Sequence, residues 1–273
     1  MKKFEGILIC TDLDGTLLRN DKTISRENID AIEYFKSEGG LFTFITGRMP
    51  YYVSDMYNTI NPNCPFGCVN GAGIYDHRTM EYKWTLPLDR DFTHLVSHID
   101  ENLPEVGIQV STFYKTYFYK DNSAMLKFRA QTRLPNIRKH YSDVSETIGK
   151  IVFADDKEEN IIALDKMLKS HELADKFGFI RSDKFLYEIL PKGVNKGTVL
   201  EKMAELLGID MKRTVALGDY NNDVCMLRTA GVGVAVANAC PEAIAAADVV
   251  TVSNQEHAIA RIISDLDEKR LTV

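Results

Sequence analysis

Ile7-Leu8-Ile9-Cys10-Thr11-Asp12-Leu13-Asp14-Gly15-Thr16 is an apolar run that stops abruptly on two carboxylates and a glycine. Four consecutive apolar residues without alternation read as a strand buried on both faces, as in parallel sheets. Working outward, Ile29, Ile32, Tyr34 and Phe35 fall at helical spacing. Ser25 ahead of them is a natural N-cap and Gly39-Gly40 behind them a natural stop. Residues 41–45 read as a second strand, a helix follows from about Tyr51, and 66–69 read as a third short strand. This β-α-β-α-β succession calls for a parallel sheet with helices on both faces. The rhythm returns late, with a helix over 195–207 closed by Gly208 and further strands over 214–217, 232–236 and 248–251.

The middle of the chain reads differently. From Trp84 to Leu190 it is richer in aromatic residues and in period-two alternation, as at 108–119 and 185–190. Amphipathic helices near 92–103, 123–133 and 158–170 are interleaved with these hairpin-like strands. The expected fold is therefore α/β: a Rossmann-like parallel-sheet core from residues 1–83 and 191–273, interrupted by an inserted α+β domain over 84–190.

Composition narrows the function. Hydrophobic residues make up 45% and charged residues 26% of 273, enough to bury a core without disulfides or structural metal. The net charge of −6 argues against nucleic acid as a partner, because phosphate backbones select basic surfaces. No apolar run approaches the roughly 18 residues of a membrane span, and the apolar stretch before Asp12 is too short for a signal-peptide core. Five cysteines, Cys10, Cys64, Cys68, Cys225 and Cys240, are an odd number without zinc spacing. They read as reduced thiols, and the expected location is cytoplasmic. The six histidines form no triad, and neither Gly71-Ala72-Gly73 nor Gly231-Val232-Gly233 is a dinucleotide fingerprint. The acidic run 155–159 is expected to open a helix, and the charged residues from Asp265 onward to form a solvated end.

Parallel sheets bind ligands beyond the carboxyl ends of their strands, so the residues after each apolar run matter most. They are Asp12-Leu13-Asp14-Gly15 after the first strand and Thr46-Gly47-Arg48 after the second. Lys192-Gly193-Val194-Asn195-Lys196-Gly197 precedes the returning helix, and Gly218-Asp219-Tyr220-Asn221-Asn222-Asp223 follows the strand at 214–217. Taken singly, each has a plain structural reading as a turn, a strand end or a helix start. Taken together they form one chemistry. Converging carboxylates are hard oxygen ligands suited to Mg²⁺. Glycine-rich amides, a hydroxyl and an ammonium supply what a phosphoryl group needs on its other side. A carboxylate nucleophile beside an acid/base can split phosphate-ester hydrolysis through an aspartyl-phosphate.

Asp12-Leu13-Asp14-Gly15-Thr16-Leu17-Leu18, Thr46-Gly47-Arg48, Lys196-Gly197 and Gly218-Asp219-x-x-Asn222-Asp223-x-x-Met226-Leu227 resemble the four motifs of the haloacid dehalogenase superfamily. Glu188-Ile189-x-Pro191-x-Gly193-Val194-x-Lys196-Gly197 and Val69-Asn70-Gly71-Ala72 further resemble its Cof-type phosphatases, whose large α/β cap is inserted where the atypical middle segment lies. The resemblance implies Asp12 as nucleophile and Mg²⁺ ligand. Asp14 would be the acid/base, binding Mg²⁺ through its main-chain carbonyl. Thr46 and Lys196 would hold the transferring phosphoryl group, and Asp219 would bind Mg²⁺ with Asp223 in support. Gly47, Arg48, Asn70 and Asn222 are expected beside the substrate. The implied partner is a small phosphate ester, a sugar phosphate first, with pyridoxal phosphate or flavin mononucleotide behind. The protein itself is expected as a monomer or homodimer. Two other readings stay open: a phosphomutase using the same aspartyl-phosphate, and a non-catalytic phosphate-binding relative.

Overall fold

The computed structural model describes residues 2–273, which divide into two compact units: the residues up to Trp84 together with Asn195–Val273, and Thr85–Val194. The first unit begins with β1 (Leu8–Thr11), α1 (Arg26–Ser37), β2 (Leu41–Phe44), α2 (Ser54–Ile60), β3 (Phe66–Cys68), β4 (Gly73–Asp76) and β5 (Glu81–Thr85). The second carries α3 (Phe92–Asn102), β6 (Gly107–Thr112), β7 (Thr116–Lys120), α4 (Ser123–Thr132), β8 (Ile148–Ala154), α5 (Glu158–Ser170), β9 (Phe177–Asp183) and β10 (Leu186–Pro191). The chain then completes the first unit with α6 (Lys196–Leu207), β11 (Thr214–Gly218), α7 (Val224–Thr229), β12 (Val232–Ala235), α8 (Pro241–Ala246), β13 (Val249–Val250) and α9 (Ala258–Asp267).

In the first unit five strands form a wholly parallel sheet in the order β13-β12-β11-β1-β2. Leu8, Ile9 and Cys10 of β1 are fully buried, as are Val215, Ala216 and Leu217 of β11, which explains their unbroken apolar runs. The chain leaves β1 toward β2 on one side, and β11 leads to β12 on the other. The carboxyl ends of β1 and β11 are thus the switch point where an open α/β sheet leaves a crevice. The local chemistry supports each crossover. The Ser25 side chain accepts a hydrogen bond from the Asn28 amide to start α1, which packs Ile32 and Phe35 inward. Asn195 and Thr198 form a reciprocal capping box at the start of α6, and Gly208 ends it in the left-handed conformation.

One strand departs from expectation. β3 does not continue the parallel sheet, and it pairs antiparallel with β4 in a separate three-stranded sheet β3-β4-β5. Only a single parallel bridge, Ile45 to Gly67, ties it beside the end of β2. The cause lies just after the strand, where Val69, Asn70 and Gly71 all take positive φ and reverse the chain into β4. The end at Asp265 also differs: α9 runs through it to Asp267, Leu266 is buried, and Asp265 pairs with Arg261 and Arg270. The helix expected at the acidic run begins at Glu158, with Glu158 and Glu159 in its first turn. All five cysteines are free thiols.

The second unit is an antiparallel sheet in the order β7-β6-β8-β10-β9. Ile108, Val110, Ile151, Phe153, Tyr187 and Ile189 point to one face and pack with Phe92, Leu95, Ile99, Ile161 and Leu164 of α3 and α5. Alternate positions carry buried polar groups. Lys150 Nζ donates to Glu188 Oε1 at 2.9 Å and Ser182 Oγ donates to the same oxygen at 2.7 Å. No described helix is long and apolar enough to cross a membrane.

Candidate active site

Three strand ends of the first unit and the first residue of α6 build the site. Asp12 leaves β1 with its amide donating to the Leu217 carbonyl of β11 at 2.8 Å, which extends the parallel pairing one residue past the strand. Lys196 opens α6 and is 1% exposed despite its charge. Its Nζ donates to Asp12 Oδ1 at 2.5 Å and to Asp223 Oδ1 at 2.6 Å. A buried ammonium survives only with such partners. Burial alone would push its pKa down, but Asp12 and Asp223 outweigh that and raise it.

Asp223 is fully buried and has both oxygens engaged. Its Oδ2 accepts the amides of Asp219 and Tyr220 at 3.0 and 3.1 Å, folding the loop after β11 around it. Asp219 is held from the other side by Thr16, whose Oγ1 donates to Asp219 Oδ1 at 2.7 Å. Gly15 makes that approach possible: it has φ +85°, and a Cβ there would lie 2.4 Å from Asp219 Oδ2.

Asp12, Asp219 and Asp223 each offer a carboxylate oxygen, and these oxygens lie within 4.8 Å of one another. Among the described residues no other group of three acidic, histidine or cysteine ligands converges this way. One ammonium does not neutralise three carboxylates, and the electrostatics register the excess. Burial, then repulsion from Asp223, lifts Asp219 from the ordinary carboxylate value to about 7. Burial also raises Asp12, and the neighbouring carboxylates add to that effect while Lys196 opposes it. Three converging hard oxygen ligands with a net negative charge fit Mg²⁺.

Asp14 points elsewhere. Arg48 Nε donates to its Oδ2 at 2.8 Å and Arg48 Nη2 to its Oδ1 at 2.7 Å, a bidentate pair. Lys22 Nζ donates to the same Oδ1 at 2.8 Å. Burial favours the neutral acid, but Arg48 and then Lys22 win and hold the carboxyl at about 2. Its side chain is therefore outside the carboxylate cluster, leaving only its main chain for a metal at Asp12.

Thr46 and Arg48 follow β2, with Thr46 Oγ1 accepting the Arg48 amide at 3.2 Å. The left-handed turn after β3 locks onto this loop, since the Asn70 amide donates to Thr46 O and the Val69 amide to Arg48 O, both at 3.1 Å. A positive φ of 57° is costly for a β-branched residue such as Val69, and strained backbone of this kind concentrates at functional sites. The turn delivers Asn70, fully buried, to Asn222, whose Nδ2 donates to Asn70 Oδ1 at 3.1 Å. Gly47 admits it, because a Cβ there would lie 2.9 Å from Asn70 Oδ1.

The structure thus joins Asp12, Lys196, Asp219 and Asp223 in one cluster, Asp14 with Arg48 in another, and Thr46, Gly47, Asn70 and Asn222 in a third. Thr16 and Lys22 were not singled out from the sequence. Thr16 lies inside the first motif, directly after Gly15, and that adjacency was an available signal. Lys22 carries none.

Comparison with known proteins bears on this arrangement. The family model of haloacid dehalogenase-like hydrolases matches residues 9–263. A putative phosphatase of Bacillus subtilis, YxeH, is 32% identical over 269 residues, covering 95% of this chain and 97% of its own. The 5-amino-6-(5-phospho-D-ribitylamino)uracil phosphatase YitU of the same organism is 31% identical, covering 94% of this chain and 96% of its own. Among solved structures, a haloacid dehalogenase-like hydrolase from Bacteroides thetaiotaomicron superposes with a TM-score of 0.83 at 24% identity, over 95% of this chain and 99% of that one.

Proposed function

Because the chain belongs to the haloacid dehalogenase-like hydrolases and is a phosphatase of the Cof type, we propose that it hydrolyses small phosphomonoesters, sugar phosphates first, with Mg²⁺ and through an aspartyl-phosphate on Asp12. The observation that carries this reading is the buried cluster of Asp12, Asp219 and Asp223 around Lys196 at the sheet's switch point. The ribityl phosphate in the name of YitU supports a polyol or sugar leaving group. Pyridoxal phosphate and flavin mononucleotide stand behind it.

Asp12, Asp219, Asp223 and the main chain of Asp14 would hold Mg²⁺, which supplies charge neutralisation for the dianionic phosphoryl group. The protein's own groups do the rest. Lys196 orients the Asp12 carboxylate through its 2.5 Å hydrogen bond and shields the incoming anion from it. The Asp12 oxygen attacks phosphorus, and the ester oxygen departs with a proton from Asp14. Asp14 then takes a proton from water, which attacks the aspartyl-phosphate and frees Asp12. Serving as an acid requires Asp14 to part from at least one of the two cations that pin it, because a carboxyl held at about 2 carries no proton near neutrality. Thr46 and the backbone after β2 position the phosphoryl oxygens, and the Asn70–Asn222 pair fixes that loop relative to the loop after β11.

The unit formed by Thr85–Val194 would serve as the cap that sets substrate choice. A cytoplasmic location belongs to the same reading and accords with five free thiols. The test is phosphate release from a panel of sugar phosphates, nucleotides, pyridoxal phosphate, flavin mononucleotide and an aryl phosphate, with Mg²⁺ and with chelator. Metal-dependent release is expected. An isomerised sugar phosphate without free phosphate would indicate a mutase, and silence across the panel with folded protein would indicate a binding role.

A further inference from the structure

We propose that Lys22 is a specificity-determining residue that selects phosphoesters bearing a carboxylate next to the ester oxygen, namely phosphorylated sugar acids and their short hydroxy-acid analogues. The proposal rests on the phosphatase reading above and narrows its substrate class.

Lys22 sits on a turn held in place from several sides. The Arg19 amide donates to Thr23 O and the Lys22 amide to Arg19 O, both at 2.9 Å. Asp21, the nearest acid in sequence, spends its Oδ1 on the Thr23 amide and hydroxyl at 2.9 and 2.6 Å. Asn254 Nδ2 anchors the base of the turn on Leu18 O at 2.8 Å and Asn20 Oδ1 at 3.3 Å. Lys22 itself takes φ +65°, a conformation uncommon outside glycine, asparagine and aspartate. That backbone turns its side chain back over the first motif, so that Nζ reaches Asp14 Oδ1 at 2.8 Å.

Charge is distributed unevenly across the site. On the Asp12 side three carboxylates face one ammonium, and on the Asp14 side two cations face one carboxylate. The positive excess therefore lies where Asp14 would meet the ester oxygen. Arg48 already satisfies both Asp14 oxygens, so Lys22 is the second cation on a carboxylate that needs one. Its side chain is 59% exposed, which makes an exchange of partners cheap. A substrate carboxylate on the ester-bearing carbon lies close to the group that protonates the ester oxygen. It can replace Asp14 as the partner of Lys22, leaving Asp14 with Arg48 as its cation. A neutral leaving group offers nothing to exchange.

The experiment compares 2-phosphoglycerate with glycerol 2-phosphate, which differ only by a carboxylate in place of a hydroxymethyl group. Phosphate release by the full chain with Mg²⁺ is measured for the wild type, Lys22→Met and Lys22→Arg, with p-nitrophenyl phosphate as a third substrate. The wild type is expected to favour 2-phosphoglycerate in kcat/KM by about tenfold, the scale of one charge-assisted hydrogen bond. Lys22→Met should erase that preference, read as the ratio of the two kcat/KM values, through a raised KM for 2-phosphoglycerate. Lys22→Arg should restore most of it. No preference in the wild type, a preference that survives in Lys22→Met, or an equal loss on both esters would overturn the proposal. The aryl ester separates the two levels: no Mg²⁺-dependent release from any of the three substrates defeats the phosphatase reading. Release from p-nitrophenyl phosphate without discrimination at Lys22 defeats only this proposal.

Discussion

At Gly15 the backbone sits at φ +85°, and a Cβ would lie 2.4 Å from a carboxylate oxygen of Asp219 that Thr16 holds in place. Gly15→Ala therefore combines left-handed strain with a displaced acid, and misplacement on the ångström scale at such a site costs roughly 100-fold in rate. Phosphate release should fall by about that factor while the far-UV circular dichroism spectrum stays unchanged. Asp12→Asn is a sharper case. It keeps the volume and removes the attacking anion, so turnover should drop at least about 1,000-fold with substrate still bound, read from kcat alongside an inhibition constant for phosphate. Wild-type turnover in that variant would remove Asp12 from its role. The residues with these effects could be read from the sequence because their chemistry shows in residue type and in position just after an apolar run. Lys22 could not be assigned a role that way, and Thr16 had only its place in the first motif as a signal. One owes its role to a positive φ in a turn and the other to a single hydrogen bond, and neither leaves a periodic trace.

Helix starts offer a controlled comparison, because two N-caps of similar strength carry different loads. Ser25 caps α1 through the Asn28 amide, and α1 contributes no residue to the carboxylate cluster. Asn195 caps α6 by accepting from the amides of Gly197 and Thr198, at 2.9 and 3.0 Å, and the residue between cap and amides is Lys196. Either cap mutated to Ala should cost about 1 kcal/mol, a shift of roughly 2–4 °C in Tm for a chain of this size. Only Asn195→Ala should also lower kcat, since it loosens the turn that aims the buried ammonium. Equal activity in the two variants would argue that Lys196 is placed by packing alone. The element scale also shows where sequence reading stops. The apolar runs of β1, β2 and β11 announced a parallel sheet because both faces are covered. Phe66-Gly67-Cys68 looked like another such strand, but three residues do not determine pairing direction. The three positive-φ residues that follow do.

Across the whole molecule, the buried acids make stability depend on pH and on metal together. Asp219 titrates at about 7 in the folded protein against 3.8 ordinarily, and Asp12 is raised in the same direction. A raised carboxyl stabilises the fold while it stays protonated, fully below about 4, and loses that contribution as pH climbs through 7. Asp14 has the opposite sign, and its contribution is lost only in acid as pH falls toward 2. Between pH 5 and 8 the first effect governs, so the chelated protein should melt lower at pH 8 than at pH 5. Mg²⁺ should take over from the protons, raising Tm more at pH 8 than at pH 5, with about 2.7 kcal/mol available at 100 times its Kd. Asp219→Asn should flatten both trends, and a pH-independent chelated Tm would contradict the charge accounting of the cluster. Whether the phosphoryl group passes through Asp12 is tested most directly by acid-quench peptide mass spectrometry of Asp14→Asn incubated with Mg²⁺ and p-nitrophenyl phosphate. That leaving group needs no proton, so the first step survives while hydrolysis of the intermediate loses its base. A phosphorylated peptide containing Asp12 is expected. Steady phosphate release with no modified peptide, or a phosphoryl group found on another residue, would contradict it.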